Sequence, residues 1–203
     1  MDKGAHFHAC DFQVHSPRDR DWTGTVPVSD DNRAEYAKKF VAACRDKRLD
    51  AVAITDHHDV VFFEYIRTAA KKETASDGTA VIPEKRLVVF PGIELTLALP
   101  CQALLIFDPD CTMAALNSAL TLLGITPSPS TDAKTCETKR LHADLSLREI
   151  CNRLSGNNAL KGRFILLPNV NDSGDDSLLR TAFFQHYIEI PCVGGYVDGS
   201  YRS

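Results

Sequence analysis

The feature that most constrains the fold is a set of short, strand-like runs that are apolar on both faces. Val52-Ala53-Ile54 and Phe164-Ile165-Leu166-Leu167 show no polar alternation. A strand with one wet face alternates with period two, whereas a run without alternation needs cover on both sides, as in a sheet flanked by helices. Such runs alternate here with amphipathic segments of helical period. Along the chain the reading is strand 7–15, helix 33–48, strand 49–56, helix 60–72, strands 86–96 and 101–107, helices 112–123 and 145–155, strand 163–170, helix 176–186 and strand 187–194. Asn32 before Glu35, and Ser146 before Glu149, have capping-box spacing and mark two helix starts. This order predicts an α/β fold with a parallel sheet, either a barrel or an open sheet.

The chain has 203 residues, 44% hydrophobic and 25% charged, which suits a single domain over 1–203. Segment 127–140, opening Pro127-Ser128-Pro129-Ser130-Thr131, reads as a surface loop within that domain. No apolar run approaches the ~20 residues that span a bilayer, and no signal peptide is evident, so no membrane partner is expected and the location is expected to be cytoplasmic. Seven cysteines without a Cys-x-x-Cys pair suit reduced thiols, with Cys10, Cys44, Cys101 and Cys192 placed in apolar runs as core residues. The net charge of −4 argues against holding nucleic acid by charge alone. No Gly-x-x-x-x-Gly-Lys-Ser/Thr segment occurs, so ATP binding through a P-loop is excluded for this sequence.

Three strand ends carry chemistry. On the first strand, period-two alternation puts Cys10, Phe12 and Val14 on an apolar face and Asp11, Gln13 and His15 on a polar one. A polar row on a buried strand needs partners, because unpaired polar groups cost several kcal/mol. The second strand runs directly into Thr55-Asp56-His57-His58-Asp59, an apolar strand ending in a polar cluster, which is how barrel enzymes place active sites. His58 is read as facing solvent and Asp59 as capping the next helix, leaving Asp56 and His57 as the functional pair. Glu94 stands between Ile93 and Leu95, where a carboxylate needs a cation or a donor. His and carboxylate groups from three strand ends suit an N/O site for Zn, Mn or Fe. His6 and His8 are read as structural or exposed, and His142 and His186 have no ligand pattern around them.

These residues resemble the motifs of the PHP (polymerase and histidinol phosphatase) family. Asp11-Phe12-Gln13-Val14-His15-Ser16 is similar to the first motif, Asp-Leu-His-x-His-Ser/Thr. Ala53-Ile54-Thr55-Asp56-His57 looks like the second and Pro91-Gly92-Ile93-Glu94 like the third. Ser16-Pro17-Arg18-Asp19 and Val193-Gly194-Gly195-Tyr196-Val197-Asp198-Gly199 narrow the resemblance to the N-terminal region of TrlF-like PHP–ATPase proteins. The resemblance implies a distorted (β/α)7 TIM-like barrel holding divalent metals (Mn, Zn, Mg or Fe) for phosphoester hydrolysis. By motif position it implies His15, His57 and Glu94 as ligands, and Asp56 as a ligand or the residue that orients one. Asp56, His57 and Glu94 become the implied catalytic residues. Asp11 and Gln13 fall in the first motif, and Asn169 stands where the family often has a His. Asp19 or Asp21 could occupy a further ligand position. Arg18 and Arg20 are candidates to pair with substrate phosphate.

The departures reduce the implied site. Gln13 replaces an imidazole, Asn169 replaces another, and the family's last Asp-x-His motif is missing. One or two metals are therefore expected rather than three. The barrel is expected to be incomplete at its C-terminal side, with the chain forming the N-terminal part of a longer protein. Two functions follow from the resemblance. One is a metal-dependent phosphoesterase or nuclease acting on nucleic acid or a nucleotide beside an ABC/SMC-like ATPase in anti-phage defence. The other is a degenerate module that docks or regulates the ATPase without chemistry of its own. Nothing in the sequence sets the oligomeric state, so a homo-oligomer stays open.

Overall fold

The computed structural model describes residues 7–75, 77–97, 101–134, 141, 145–170, 177–178 and 194–197. Within these, five strands form one sheet in the order β1 (Cys10–Val14), β2 (Ala51–Ile54), β3 (Val88–Thr96), β4 (Gln102–Phe107) and β5 (Phe164–Pro168). Helix α1 (Asp30–Asp46) links β1 to β2, and α2 (Phe63–Lys71) with a short 3-10 turn at Pro83–Lys85 links β2 to β3. Helices α3 (Met113–Leu122) and α4 (Leu147–Ser155) lie between β4 and β5. Most of the helix expected at 176–186 and most of the strand expected at 187–194 lie outside the described residues, as do His6, His142, His186 and Cys192.

The sheet is mixed, and this corrects the all-parallel expectation. β1, β2 and the start of β3 pair in parallel, but β3 pairs antiparallel with β4, and β4 antiparallel with β5. For β3 and β4 the reason is chain length. Parallel neighbours need a crossover of roughly a dozen residues or more, and the link from Thr96 to Gln102 is too short for one. The described residues form this five-stranded α/β sheet, and a closed seven-stranded barrel is not confirmed among them.

β3 changes partner character part-way along its length. Ala51 to Ile54 pair with Val88 to Pro91, and from Gly92 onward the strand pairs with β4. Gly92 sits at this seam because nothing larger fits: a Cβ there would lie 2.6 Å from Thr55 Cγ2 and 3.2 Å from the Ile54 carbonyl oxygen.

The helices form where caps and periodicity agree. Ser146 caps α4 by accepting the Glu149 N–H, as its spacing predicts. α1 begins earlier than expected, because Ser29 rather than Asn32 is the cap and accepts the Asn32 N–H at 3.3 Å. α1 packs against α2, and their inward faces join Val52, Ile54, Val89 and Leu105 of the sheet in the main core, with α3 and α4 completing it through Leu116, Leu120, Ile150 and Leu154. Each such side chain contributes about 1.5–3 kcal/mol on burial. Cys44 and Cys101 are buried as expected, but Cys10 is exposed on the edge strand β1. No described helix is long and apolar enough to cross a membrane.

Candidate metal centre

β1 delivers its polar residues through a bulge. Against β2, Asp11 pairs with Val52 and Val14 with Ile54, so one extra residue is accommodated on β1. Simple alternation therefore fails. Phe12 packs with Phe90, Leu104 and Ile106 on one side of the sheet, while Val14 joins the main core on the other. Asp11 is exposed, accepts the Gln13 N–H at 3.2 Å, and stands outside every group of candidate ligands among the described residues, so its expected place in the centre is not supported. Gln13 and His15 do reach the centre.

His15 follows β1, His57 follows β2, and Glu94 lies in β3, bridged in parallel to His57. Their ligand atoms lie within 4.8 Å of one another. The two imidazoles stack with centroids 5.0 Å apart and planes 4° from parallel. Both turn the same edge to the same partners. His15 Nδ1 is 3.1 Å and His57 Nδ1 3.0 Å from Asp19 Oδ2. On the opposite edge, His15 Nε2 is 3.1 Å from Glu94 Oε2 and His57 Nε2 is 3.9 Å from Glu94 Oε1.

Asp19 was only a loose alternative in the sequence, yet it organises the site. It is buried, and its Oδ2 also accepts the His57 backbone N–H at 2.8 Å. Burial opposes its ionisation, but hydrogen bonds from His15 and His57 outweigh burial and hold its carboxyl well below the usual range. Burial likewise opposes charging of His15, and the hydrogen bonds to Asp19 and Glu94 overcome it, raising its pKa to about 10. His57 is raised in the same way, chiefly by Asp19 against the cost of burial. Two buried carboxylates facing two imidazoles thus favour positive charge in this cluster.

A divalent cation fits that demand. Ligating imidazoles commonly donate their other ring N–H to a carboxylate, which fixes tautomer and orientation. With both Nδ1 atoms on Asp19, both Nε2 atoms are left to face Glu94, forming an N2O donor set suited to Zn, Mn or Fe. Two further groupings, His15–Asp19–Asp56 and Asp19–Asp21–His57, also bring ligand atoms within 4.8 Å. Both spend Asp19 as a ligand, which would release the imidazoles it orients, so the His15–His57–Glu94 set is the better centre.

The remaining expected residues divide. Gln13 Nε2 donates to Glu94 Oε2 at 3.3 Å, so it steadies the carboxylate with a donor where an imidazole ligand was implied. Asp56 is fully buried, and both its oxygens are engaged by Ser16, from the backbone N–H and from the hydroxyl, each at 2.6 Å. Burial, opposed by those hydrogen bonds, pushes its pKa up to about 7. Asn169 is buried beside Tyr196, whose hydroxyl donates to Glu94 Oε1 at 3.4 Å. Arg20 is exposed and pairs with Asp21 at 2.9 Å.

Three expectations are overturned. Arg18 is not an exposed phosphate binder, since it is fully buried on Asp59 and on backbone carbonyls. His58 does not face solvent. It is half-buried at φ 54°, accepts the Thr96 N–H through Nε2, and burial lowers its pKa to about 4. Asp59 does not cap α2, whose cap is Phe62, but accepts the Val61 N–H and holds Arg18. His8 is exposed beside Asp50, as expected.

No protein-family model matches the sequence, and no curated protein matches it. Solved structures do. An endonuclease Q, solved with a 27-mer duplex carrying an abasic lesion at its active site, is 17% identical over 91% of this chain and 41% of its own, with a TM-score of 0.48. PsfC from Pseudomonas syringae is 16% identical over 88% of this chain and 61% of its own, with a TM-score of 0.44. A protein assigned as a metal-dependent phosphoesterase from Bifidobacterium adolescentis is 13% identical over 92% of this chain and 76% of its own, at 0.45. The chain therefore spans less than two thirds of the first two. At these identities and scores the likeness carries no argument about activity, which must come from the residues themselves.

Proposed function

We propose that this chain is a PHP-type metal centre that hydrolyses phosphoester bonds. The observation that carries the reading is the shared orientation of two imidazoles, with both Nδ1 atoms on Asp19 and both Nε2 atoms turned to Glu94. His15, His57 and Glu94 would hold one divalent ion, which would supply Lewis-acid stabilisation of charge on phosphate oxygens. Asp19 fixes the ring tautomers. Gln13 and Tyr196 hold the Glu94 oxygens, and Asp56 anchors the loop through Ser16. Nucleic acid or a nucleotide is the substrate class, with the chain working beside an ABC/SMC-like ATPase in anti-phage defence. The support for that last part is the resemblance of residues 16–19 and 193–199 to TrlF-like proteins.

The test is metal content together with turnover of a generic phosphodiester. The protein should bind Mn or Zn near stoichiometrically, and both chelation and Glu94→Ala should abolish hydrolysis. Turnover indifferent to both sinks the metal mechanism. A second reading, a module without chemistry that docks the ATPase, is favoured by Gln13, which presents a donor where an imidazole ligand was implied. It requires metal content near zero in a fully folded protein.

A further inference from the structure

Residues 127–134 have the composition of an idle surface loop, yet their backbone holds two deeply buried cations. Arg18 and Arg33 are 0% and 2% exposed. Arg18 donates Nε to both Asp59 oxygens at 3.1 and 3.2 Å, one terminal nitrogen to the Ser128 and Pro129 carbonyls at 3.0 and 2.8 Å, and the other to the Asp132 carbonyl. Arg33 donates to the Ser130 and Asp132 carbonyls at 2.7 and 2.9 Å, and to the Pro27 carbonyl at 3.3 Å. Lys134 Nζ continues the pattern from the strap side, donating to the carbonyls of Arg20, at 3.0 Å, and Trp22.

Buried guanidinium groups must place their N–H donors, and main-chain carbonyls serve whatever side chains surround them. The contacts have a direction. Arg18 immediately precedes Asp19, and Asp59 follows His57-His58. One guanidinium therefore ties the loop after β1, the loop after β2 and residues 128–132 together. The loop carrying Asp19 is gripped at one end by Asp56 on Ser16 and along the rest by the 128–134 segment on Arg18, Arg20 and Trp22. Asp19 lies between these anchors.

We propose that residues 128–134 form a strap that positions Asp19, so that docking of the strap through Arg18 and Arg33 sets the cation affinity of the His15–His57–Glu94 centre. Arg18 is then a positioning residue, acting through Asp59 and the strap. The affinity part rests on the metal-centre reading, while the placement of Asp19 stands without it.

Arg33→Met loosens the strap from a distance, because Arg33 donates to Pro27, Ser130 and Asp132 and to no group of the centre. Two quantities are read on folded protein: the Mn2+ dissociation constant, and the imidazole 15N shifts of His15 and His57 in metal-free protein. The expected result is Mn2+ binding weaker by about 10-fold or more, with both imidazoles shifted. Lys134→Met, at a half-buried position, should move both in the same direction by less. Faster proteolysis within 128–134, with affinity inside about twofold of wild type and unmoved imidazole resonances, overturns the proposal. Should Arg33→Met fail to fold, Lys134→Met decides on the same criteria. Should wild-type protein bind no Mn2+, the metal reading fails and the imidazole shifts alone decide the strap.

Discussion

The two halves of the sheet do different work, although both are built from apolar strands. In the parallel half, β1 and β2 end at the same edge, and each runs on into a polar loop, Ser16–Trp22 and Asp56–Asp59. In the antiparallel half, β4 and β5 are joined to each other across their length, and β4 contributes Ala103 to Phe107 to the interior without a candidate ligand. Parallel strands present like ends together, so loops that follow them can converge on one ion; antiparallel strands send successive ends to opposite edges. β3 belongs to both halves. Its first part is paired in parallel with β2, and Glu94 is carried on the part paired with β4 while still bridging His57.

If the halves are separable in this way, stability and metal binding should respond to different substitutions. The largest effect is expected on the antiparallel side. Leu105→Ala, at a fully buried position of β4, should cost about 2–5 kcal/mol in denaturant unfolding while leaving the metal affinity of the folded protein unchanged. A parallel loss of affinity would show that the halves are not independent. Gly92→Ala tests the seam. The Thr55 and Ile54 atoms that a Cβ would meet belong to the strand end leading to His57, so overpacking there should cost about 1–3 kcal/mol and also weaken metal binding. Loss of stability alone would place the seam wholly in the core.

The smallest effect is electrostatic and confined to the parallel side. His15 has a folded pKa raised to about 10 from an ordinary 6.5. In metal-free protein the folded state therefore binds more protons than the unfolded state between those values. Its contribution is fully present below pH 6.5 and is lost as pH rises through 10. With the ring partly exposed, the loss should be on the order of 1 kcal/mol, or about 2–4 °C in Tm. Saturation with Zn or Mn should flatten this dependence, because ligation requires neutral imidazole. A metal-free Tm that holds steady or climbs over that interval would contradict the arrangement of His15 between Asp19 and Glu94.

The parallel half was legible in the sequence because its signals are local. Apolar runs ending in His or carboxylate residues marked His15, His57 and Glu94, and the structure brings these three within ligand distance of one another. Other parts were hidden for identifiable reasons. The antiparallel pairing of β3 with β4 was readable from the short sequence spacing of the two strands, but the apolar pattern alone suggested parallel pairing. The bulge in β1 cannot be seen in composition, so Phe12 and Val14 were assigned one face when they take two. Arg18 and Asp59 looked like loop charges because their partners are distant in sequence, and the partners of Arg18 beyond Asp59 are carbonyls, which every residue owns. Tyr196 reaches Glu94 from the far end of the chain, and no local pattern announces it.

The double allegiance of β3 also sets an order of assembly. Thr96 and Gln102 are near neighbours along the chain, so the β3–β4 hairpin closes a short loop, whereas Val14 must find Thr55 across 41 positions. Closing long loops costs more entropy before any contact rewards it, which slows the non-local pairings. Amides of β3 and β4 should thus gain protection from hydrogen exchange before those of β1 during refolding, an order that pulse labelling would reveal or refute. Of the five described strands, the first in chain order would be the last to find its place, and the centre would acquire His15 only when the rest of the sheet is already standing.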